Sequence, residues 1–209
     1  MRRKLYPTLA AALLSLAALL APTTPATANA TDAAAPPAAT GAAPEPEPQA
    51  SSIGINGFFS VDPAQQGSTF LAAVVMEIPR GLHVNSNKPL GKYAVPTVVK
   101  VDAPRGLRVT PVSYPRGSVR TFRFGGAAEE RLAVYEDRAI FRFSVNVPPN
   151  MELGVARVRV NVRFQSCDDE VCYPPATREL VLPIAIVGRD TPMNHINARY
   201  FGTGGRKRR

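Results

Sequence analysis

The amino-acid sequence predicts an all-β protein, with one antiparallel β-sandwich between about Ser51 and Arg189. Tracts rich in Val, Ile, Phe and Thr recur through this region, and proline and glycine turns separate them every ~8–12 residues. No tract keeps the 3.6-residue period of an amphipathic helix. About 140 residues are enough for an independent hydrophobic core, so we expect a single sandwich domain.

Three of the expected strands show the alternation of apolar and polar side chains most clearly. In residues 139–147 and 155–166, valine and phenylalanine alternate with polar and charged residues, and in 177–187 leucine and isoleucine share one face. A period of two places one face of a strand on a core and the other in water. The full set of predicted strands is 57–61, 68–78, 95–101, 107–114, 119–124, 132–135, 139–147, 155–166 and 177–187.

The two ends of the chain differ in composition from this domain. Residues 1–30 have a basic start, an apolar run and an Ala-Asn-Ala cleavage site, which together predict a cleavable signal peptide and an exported mature protein. Residues 31–50 are rich in Ala, Pro and Glu and are expected to form an extended linker. Residues 190–209 are expected to be a loosely attached basic tail.

The formal net charge of +9 is concentrated at the ends of the chain. Between residues 31 and 189 there are 17 basic and 15 acidic side chains. The net charge of this region is therefore too small to favour binding to a phosphate backbone. We therefore expect no nucleic-acid partner. The basic tail is expected to make at most a weak contact with an anionic membrane surface.

The only two cysteines, Cys167 and Cys172, lie between two predicted strands. These strands are adjacent in sequence, so we expect a hairpin with residues 167–176 at its tip. A disulfide there would close six residues and stabilise the fold by only about 2 kcal/mol. Two interpretations stay open: a reversible dithiol in a short exposed loop, or a structural disulfide in a non-catalytic binding or assembly module.

Three carboxylates, at residues 168–170, separate the two cysteines. Nearby negative charge disfavours a thiolate, so it raises the pKa of both thiols. The reduced pair is therefore expected to react slowly until a partner docks on it. Tyr173 and the two prolines that follow it restrict the backbone where the chain leaves the loop.

Three sequence motifs, occurring in one order, resemble a known family. Residues 81–89 read Gly-Leu-His-Val-Asn-Ser-Asn-Lys-Pro, residues 132–138 read Leu-Ala-Val-Tyr-Glu-Asp-Arg, and residues 164–175 read Phe-Gln-Ser-Cys-x4-Cys-Tyr-Pro-Pro. Together they resemble the N-terminal periplasmic domain of the thiol:disulfide interchange protein DsbD, over roughly residues 55–189. Members of that family continue into a membrane domain and a thioredoxin-like domain, which here would have to act in trans.

The resemblance implies an immunoglobulin-like sandwich that relays electrons. The donor would be a membrane thiol reductase, and the acceptors would be periplasmic disulfide isomerases or the thioredoxin-like proteins of cytochrome c biogenesis. It also implies that Cys172 forms the mixed disulfide with a partner and that Cys167 resolves it. Whether such a component counts as an enzyme in its own right depends on those partners.

The resemblance further implies surroundings for the disulfide. A cap loop with an aromatic residue covers it in the family, and the candidates here are Phe122 and Phe124. The strand that faces the sulfurs corresponds to the segment in which His83 and Asn85 share a face. Tyr173 completes these expected surroundings.

We expect no metal and no cofactor. The only histidines are His83 and His195, too few for a four-ligand zinc site of ordinary spacing. Copper binding by the cysteines would normally come with methionine- or histidine-rich surroundings, which this sequence lacks. Nothing in the spacing suggests a cysteine–histidine hydrolase either.

Overall fold

The computed structural model describes residues 52–126 and 128–201, and it shows an immunoglobulin-like antiparallel β-sandwich. The predicted signal peptide and linker lie outside the described residues. The described part of the chain contains fourteen strands, a 3₁₀ turn and a short helix, which loops and turns connect. No helix within it is both long enough and apolar enough to cross a membrane.

The strands of the described chain vary from two to twelve residues. They are β1 (Gly54–Phe59), β2 (Val61–Asp62), β3 (Ala64–Gln65), β4 (Thr69–Glu77), β5 (His83–Asn85), β6 (Val98–Asp102), β7 (Arg108–Val109), β8 (Ser118–Phe122), β9 (Glu130–Tyr135), β10 (Arg138–Asn146), β11 (Gly154–Phe164), β12 (Ser166–Cys167), β13 (Ala176–Val187) and β14 (Asn194–His195). The 3₁₀ turn spans Phe124–Gly126 and helix α1 spans Ala198–Phe201.

Two four-stranded sheets enclose the main core. The first sheet has the order β1-β4-β10-β7 and the second has the order β3-β13-β11-β6. Every second residue of β10 and β11 is buried, as the alternation predicted. The centre of the core includes Val74, Phe141 and Val160, all fully buried. Burying a valine or phenylalanine side chain is worth roughly 1.5–3 kcal/mol, so this alternation is what holds the two sheets together.

The predicted hairpin around the cysteines is confirmed. β11 and β13 pair in antiparallel register from Gly154 opposite Ile186 to Phe164 opposite Ala176. A third sheet, of order β12-β5-β9-β8, stands beside this hairpin. Its outermost strand, β12, contains Cys167, so the chain passes directly from the sandwich into the cysteine loop.

The expected strand over 107–114 is mostly absent. Only Arg108–Val109 forms a strand, with a single bridge from Ser113 to Arg142 beyond it. Pro111 lies in this segment and has no N–H to donate to a neighbouring strand, which explains why regular pairing ends at Val109.

Residues 193–201 pack against the sandwich, whereas the sequence predicted a loosely attached tail from residue 190 onward; residues 202–209 lie outside the described residues. Strand β14 pairs with β2, and the ring of Tyr200 stacks on Phe58 with centroids 4.1 Å apart. The Nε of Arg142 donates a hydrogen bond to the carbonyl of Tyr200. This clasp (residues 193–201) covers apolar side chains on the outer face of the first sheet, among them Val75.

Candidate redox site in the hairpin loop

Cys167 and Cys172 are joined by a disulfide, with an S–S distance of 2.04 Å and Cα atoms 4.0 Å apart. The two cysteines differ in exposure. Cys167 is fully buried in the third sheet, whereas Cys172 is half-buried. The expectation of an exposed pair is thus wrong for Cys167. This residue lies on β12, which pairs with β5, and none of its surface is exposed.

Asp168 shapes the loop between the two sulfurs. Its Oδ1 accepts hydrogen bonds from the backbone N–H groups of Glu170 and Val171, at 2.8 and 2.7 Å. Its Oδ2 accepts a 2.7 Å hydrogen bond from the hydroxyl of Tyr173. Burial acts to raise the pKa of Asp168, but these hydrogen bonds outweigh it and hold the pKa below its ordinary value.

Gln165 ties the cysteine loop to the neighbouring strand. Its Oε1 accepts hydrogen bonds from the Nδ2 of Asn85 and the backbone N–H of Val95, at 3.0 and 3.1 Å. Its Nε2 donates to the carbonyl of Tyr173, and the N–H of Tyr173 donates to the carbonyl of Ser166. The loop therefore leaves and re-enters the sandwich at fixed points.

An aromatic stack lies beside the buried cysteine. The imidazole of His83 stacks on Phe122 with ring centroids 4.1 Å apart, and Phe122 stacks on Phe124 at 5.5 Å. Just after these rings, the N–H of Gly125 donates a 3.2 Å hydrogen bond to the carbonyl of Glu170. The segment after β8 is thereby held against the cysteine loop.

His83 lies on β5, the strand that pairs with the Cys167 strand β12. Its Cα is the register partner of the Cα of Cys167. Burial lowers the pKa of His83, while the negative charges of Asp169, Glu136 and Asp168 act in the opposite direction. The net effect is a pKa below the ordinary value, so the imidazole is neutral at pH 7.

The structure brings together most of the residues that the sequence singled out. The disulfide joins Cys167 to Cys172. His83 and Asn85 lie on β5, the strand that pairs with the Cys167 strand β12. Phe122 and Phe124, the candidates for the cap, contact His83 and each other. His195 lies on β14, outside this group. The cap role itself stays a prediction.

Sequence reasoning missed the roles of Gln165 and Asp168. The signal for Gln165 is the period of two, which places residues 165 and 167 on the same face of the strand. For Asp168 the signal is the residue type itself, because an Asp side chain in a turn commonly accepts a hydrogen bond from the backbone N–H two residues on. In the part of the chain described here, no three His, Cys, Asp or Glu side chains are grouped so that they could hold a metal ion.

The fold and the site define a class of protein: an immunoglobulin-like β-sandwich with a cystine in a hairpin loop. The family model described as the N-terminal region of thiol:disulfide interchange protein DsbD matches residues 56–183, more than half of the chain. The chain therefore belongs to this family, as its three motifs predicted. No curated protein matches the chain.

The solved structures that are similar to this chain include the following two. The N-terminal periplasmic domain of ScsB from Proteus mirabilis has 9% identity and a TM-score of 0.40; the match covers 63% of this chain and 45% of that one. A complex of the DsbD and PilB N-terminal domains from Neisseria meningitidis has 20% identity and a TM-score of 0.36; the match covers 60% of this chain and 80% of that one.

Proposed function

We propose that this protein is a periplasmic thiol:disulfide exchange domain that relays electrons through Cys167 and Cys172. The donor is a membrane thiol reductase, and the acceptors are thioredoxin-like or disulfide isomerase proteins, including those of cytochrome c biogenesis. The family match and the disulfide in the hairpin loop support this proposal. The proposal takes residues 1–30 to be a cleavable signal peptide.

The difference in exposure between Cys167 and Cys172 is the observation that supports the assignment of roles. A partner can reach the half-buried Cys172, so this cysteine forms the mixed disulfide. The fully buried Cys167 is shielded from partners and resolves the mixed disulfide by attack on Cys172. The rings of Phe122 and Phe124 act as the cap that a docking partner displaces.

Trapping of mixed disulfides tests both the function and the roles. A Cys167→Ala variant produced in the periplasm accumulates a covalent complex that reducing agent releases. A Cys172→Ala variant serves as the matched control and accumulates far less. Equal trapping by the two variants would contradict the assignment of roles, and no complex with either would contradict electron relay.

The reduction potential separates this function from a non-catalytic sandwich module with a structural disulfide. A relay disulfide equilibrates with thioredoxin-like proteins, whose potentials lie at about −120 to −270 mV. A structural disulfide typically lies below about −300 mV. The purified protein is equilibrated in glutathione and dithiothreitol buffers of known potential. Thiol alkylation and mass spectrometry then give the reduced fraction at each potential, and the resulting reduction potential decides between the two functions.

A further inference from the structure

His83 carries a buried polar atom that the fold leaves unused. Only 3% of the residue is exposed, and its Nε2 has no hydrogen-bond partner in the described chain. The Cα of His83 lies opposite that of Cys167 in the antiparallel ladder. Side chains of such a pair project on the same face, with Cβ atoms about 4.5–5.5 Å apart.

The buried sulfur of Cys167 needs a group that removes its proton. Cys167 is fully buried, and burial favours the neutral thiol over the thiolate once the disulfide is reduced. Only a thiolate attacks a disulfide, and the sulfur is sealed from bulk water. Resolution of a mixed disulfide at Cys172 therefore requires a base inside the protein.

The imidazole is the one suitable base among the unpartnered atoms. Two other buried side-chain atoms of the described chain lack a partner, the Oδ1 of Asn85 and the Oγ of Ser166. Neither takes up a proton near neutral pH, whereas a neutral imidazole does. Asp168 is already occupied by its hydrogen bonds within the loop.

The surroundings of His83 allow the imidazole to accept a proton and hold it transiently. Burial keeps the imidazole neutral and ready to accept, and Asp169, Glu136 and Asp168 favour the imidazolium once it forms. Glu136 itself is paired with Arg120, with an N–O distance of 3.0 Å, which limits its contribution. The stack on Phe122 holds the ring in place.

We propose that His83 is the general base of the resolving step, an inference that rests on the proposed exchange function. The proton of the Cys167 thiol moves to the imidazole as its sulfur attacks the sulfur of Cys172. A bond forms between Cys167 and Cys172, the bond from Cys172 to the partner's sulfur breaks, and the partner leaves as a thiolate. The dithiol is oxidised and the partner's disulfide is reduced.

A small aromatic disulfide, dithiobis(nitrobenzoate), separates the two steps in the reduced protein. Attack by Cys172 releases one coloured thiolate, and resolution by Cys167 releases a second, so stopped-flow absorbance records both phases. For the wild type we expect a level second phase above the imidazole pKa and a decline as the pH falls below it, because a protonated His83 accepts no proton. A second phase that follows thiol ionisation alone overturns the proposal.

A His83→Gln variant keeps a polar side chain but removes the base. We expect its second phase to be about 100-fold slower at pH 7, the lower end of general-base contributions, with the first phase unchanged. The matched control is His195→Gln, since His195 is exposed on β14, and neither of its phases should change. Equal slowing of both phases in His83→Gln, or no slowing, indicates a packing role and overturns the proposal.

These outcomes are distinct from failure of the proposed function. The reagent requires no biological partner, so a normal second phase dependent on His83, without trapped complexes in the periplasm, would contradict only the relay. Trapped complexes with a second phase indifferent to His83 would contradict only the base. If His83→Gln does not fold, the wild-type pH profile alone still decides.

Discussion

At the scale of single residues, the cysteine loop is ordered by one carboxylate. Asp168 accepts hydrogen bonds from two backbone amides and from the Tyr173 hydroxyl. Its pKa is lowered in the folded protein. The stabilisation it provides is therefore complete above the unfolded pKa of about 3.9 and is lost as the pH falls through the folded value.

Tyr173→Phe removes one of these hydrogen bonds and keeps the ring. We expect the pKa of Asp168 to rise, measured by NMR titration, and the free energy of unfolding at pH 7 to fall by about 1 kcal/mol. Hydrogen bonds to charged groups contribute ~1.5–3 kcal/mol, and partial exposure reduces this value. The difference from wild type should narrow in acid, where Asp168 is protonated in both proteins.

The control for this prediction is Tyr93→Phe. Tyr93 is 82% exposed, so loss of its hydroxyl should leave both the pKa of Asp168 and the stability unchanged. An unchanged Asp168 pKa in Tyr173→Phe would show that the loop does not depend on this hydrogen bond.

At the scale of elements, the third sheet needs close approach between its strands. Gly117 precedes β8, and a Cβ placed there would lie 2.8 Å from the Cβ of Ser86 and 3.2 Å from the carbonyl oxygen of Val134. Because neither atom is the end of a flexible side chain, the strands themselves would have to separate. The sheet that holds Cys167 and His83 therefore depends on a glycine at this position.

Gly117→Ala is expected to lower the free energy of unfolding by about 1–3 kcal/mol, the usual range for overpacking. Denaturant titration measures this loss. Gly54→Ala is the matched control, since its Cβ would meet nothing closer than the Cβ of Glu77 at 3.5 Å, an ordinary contact. Equal stability of the two variants would contradict the close packing of the third sheet.

The clasp formed by residues 193–201 is a second element-scale feature. Tyr200→Ala removes its stack on Phe58 and uncovers part of the first sheet. We expect a loss of about 2 kcal/mol, below the ~3–5 kcal/mol of a central aromatic because Tyr200 lies at the periphery. Thermal or urea unfolding measures this loss of unfolding free energy. The control is Thr191→Ala, at an exposed position, which should change the stability little.

At the scale of the whole molecule, the core and the disulfide are separate sources of stability. The core lies between the first and second sheets and is built from residues of both. The disulfide joins residues only five apart in sequence. A domain whose core does not depend on its disulfide can open and close that bond repeatedly without unfolding, as the proposed function requires.

Reduction is therefore expected to cost only about 2 kcal/mol, the chain-entropy value for so short a loop, and to leave unfolding cooperative. Urea titration with and without dithiothreitol measures the difference. A variant with both cysteines changed to alanine is the control and should not respond to dithiothreitol. Loss of the folded state on reduction would contradict a relay and favour a structural disulfide.

The sequence by itself determined the sandwich, the hairpin and the pairing of the two cysteines. Alternation along β10 and β11 is a local pattern, and the period of a strand converts it directly into a buried face. The cysteine loop is equally local, because the strands on either side of it are neighbours in the chain.

Only the tertiary structure decided which sulfur is buried and what lies beside it. Strand β5 precedes Cys167 by more than eighty residues, and its three residues are too few to show a period. The contacts of His83 with Phe122 and of Tyr200 with Phe58 likewise join distant parts of the chain. Such contacts depend on how sheets pack, and no pattern within a single segment of sequence contains that information.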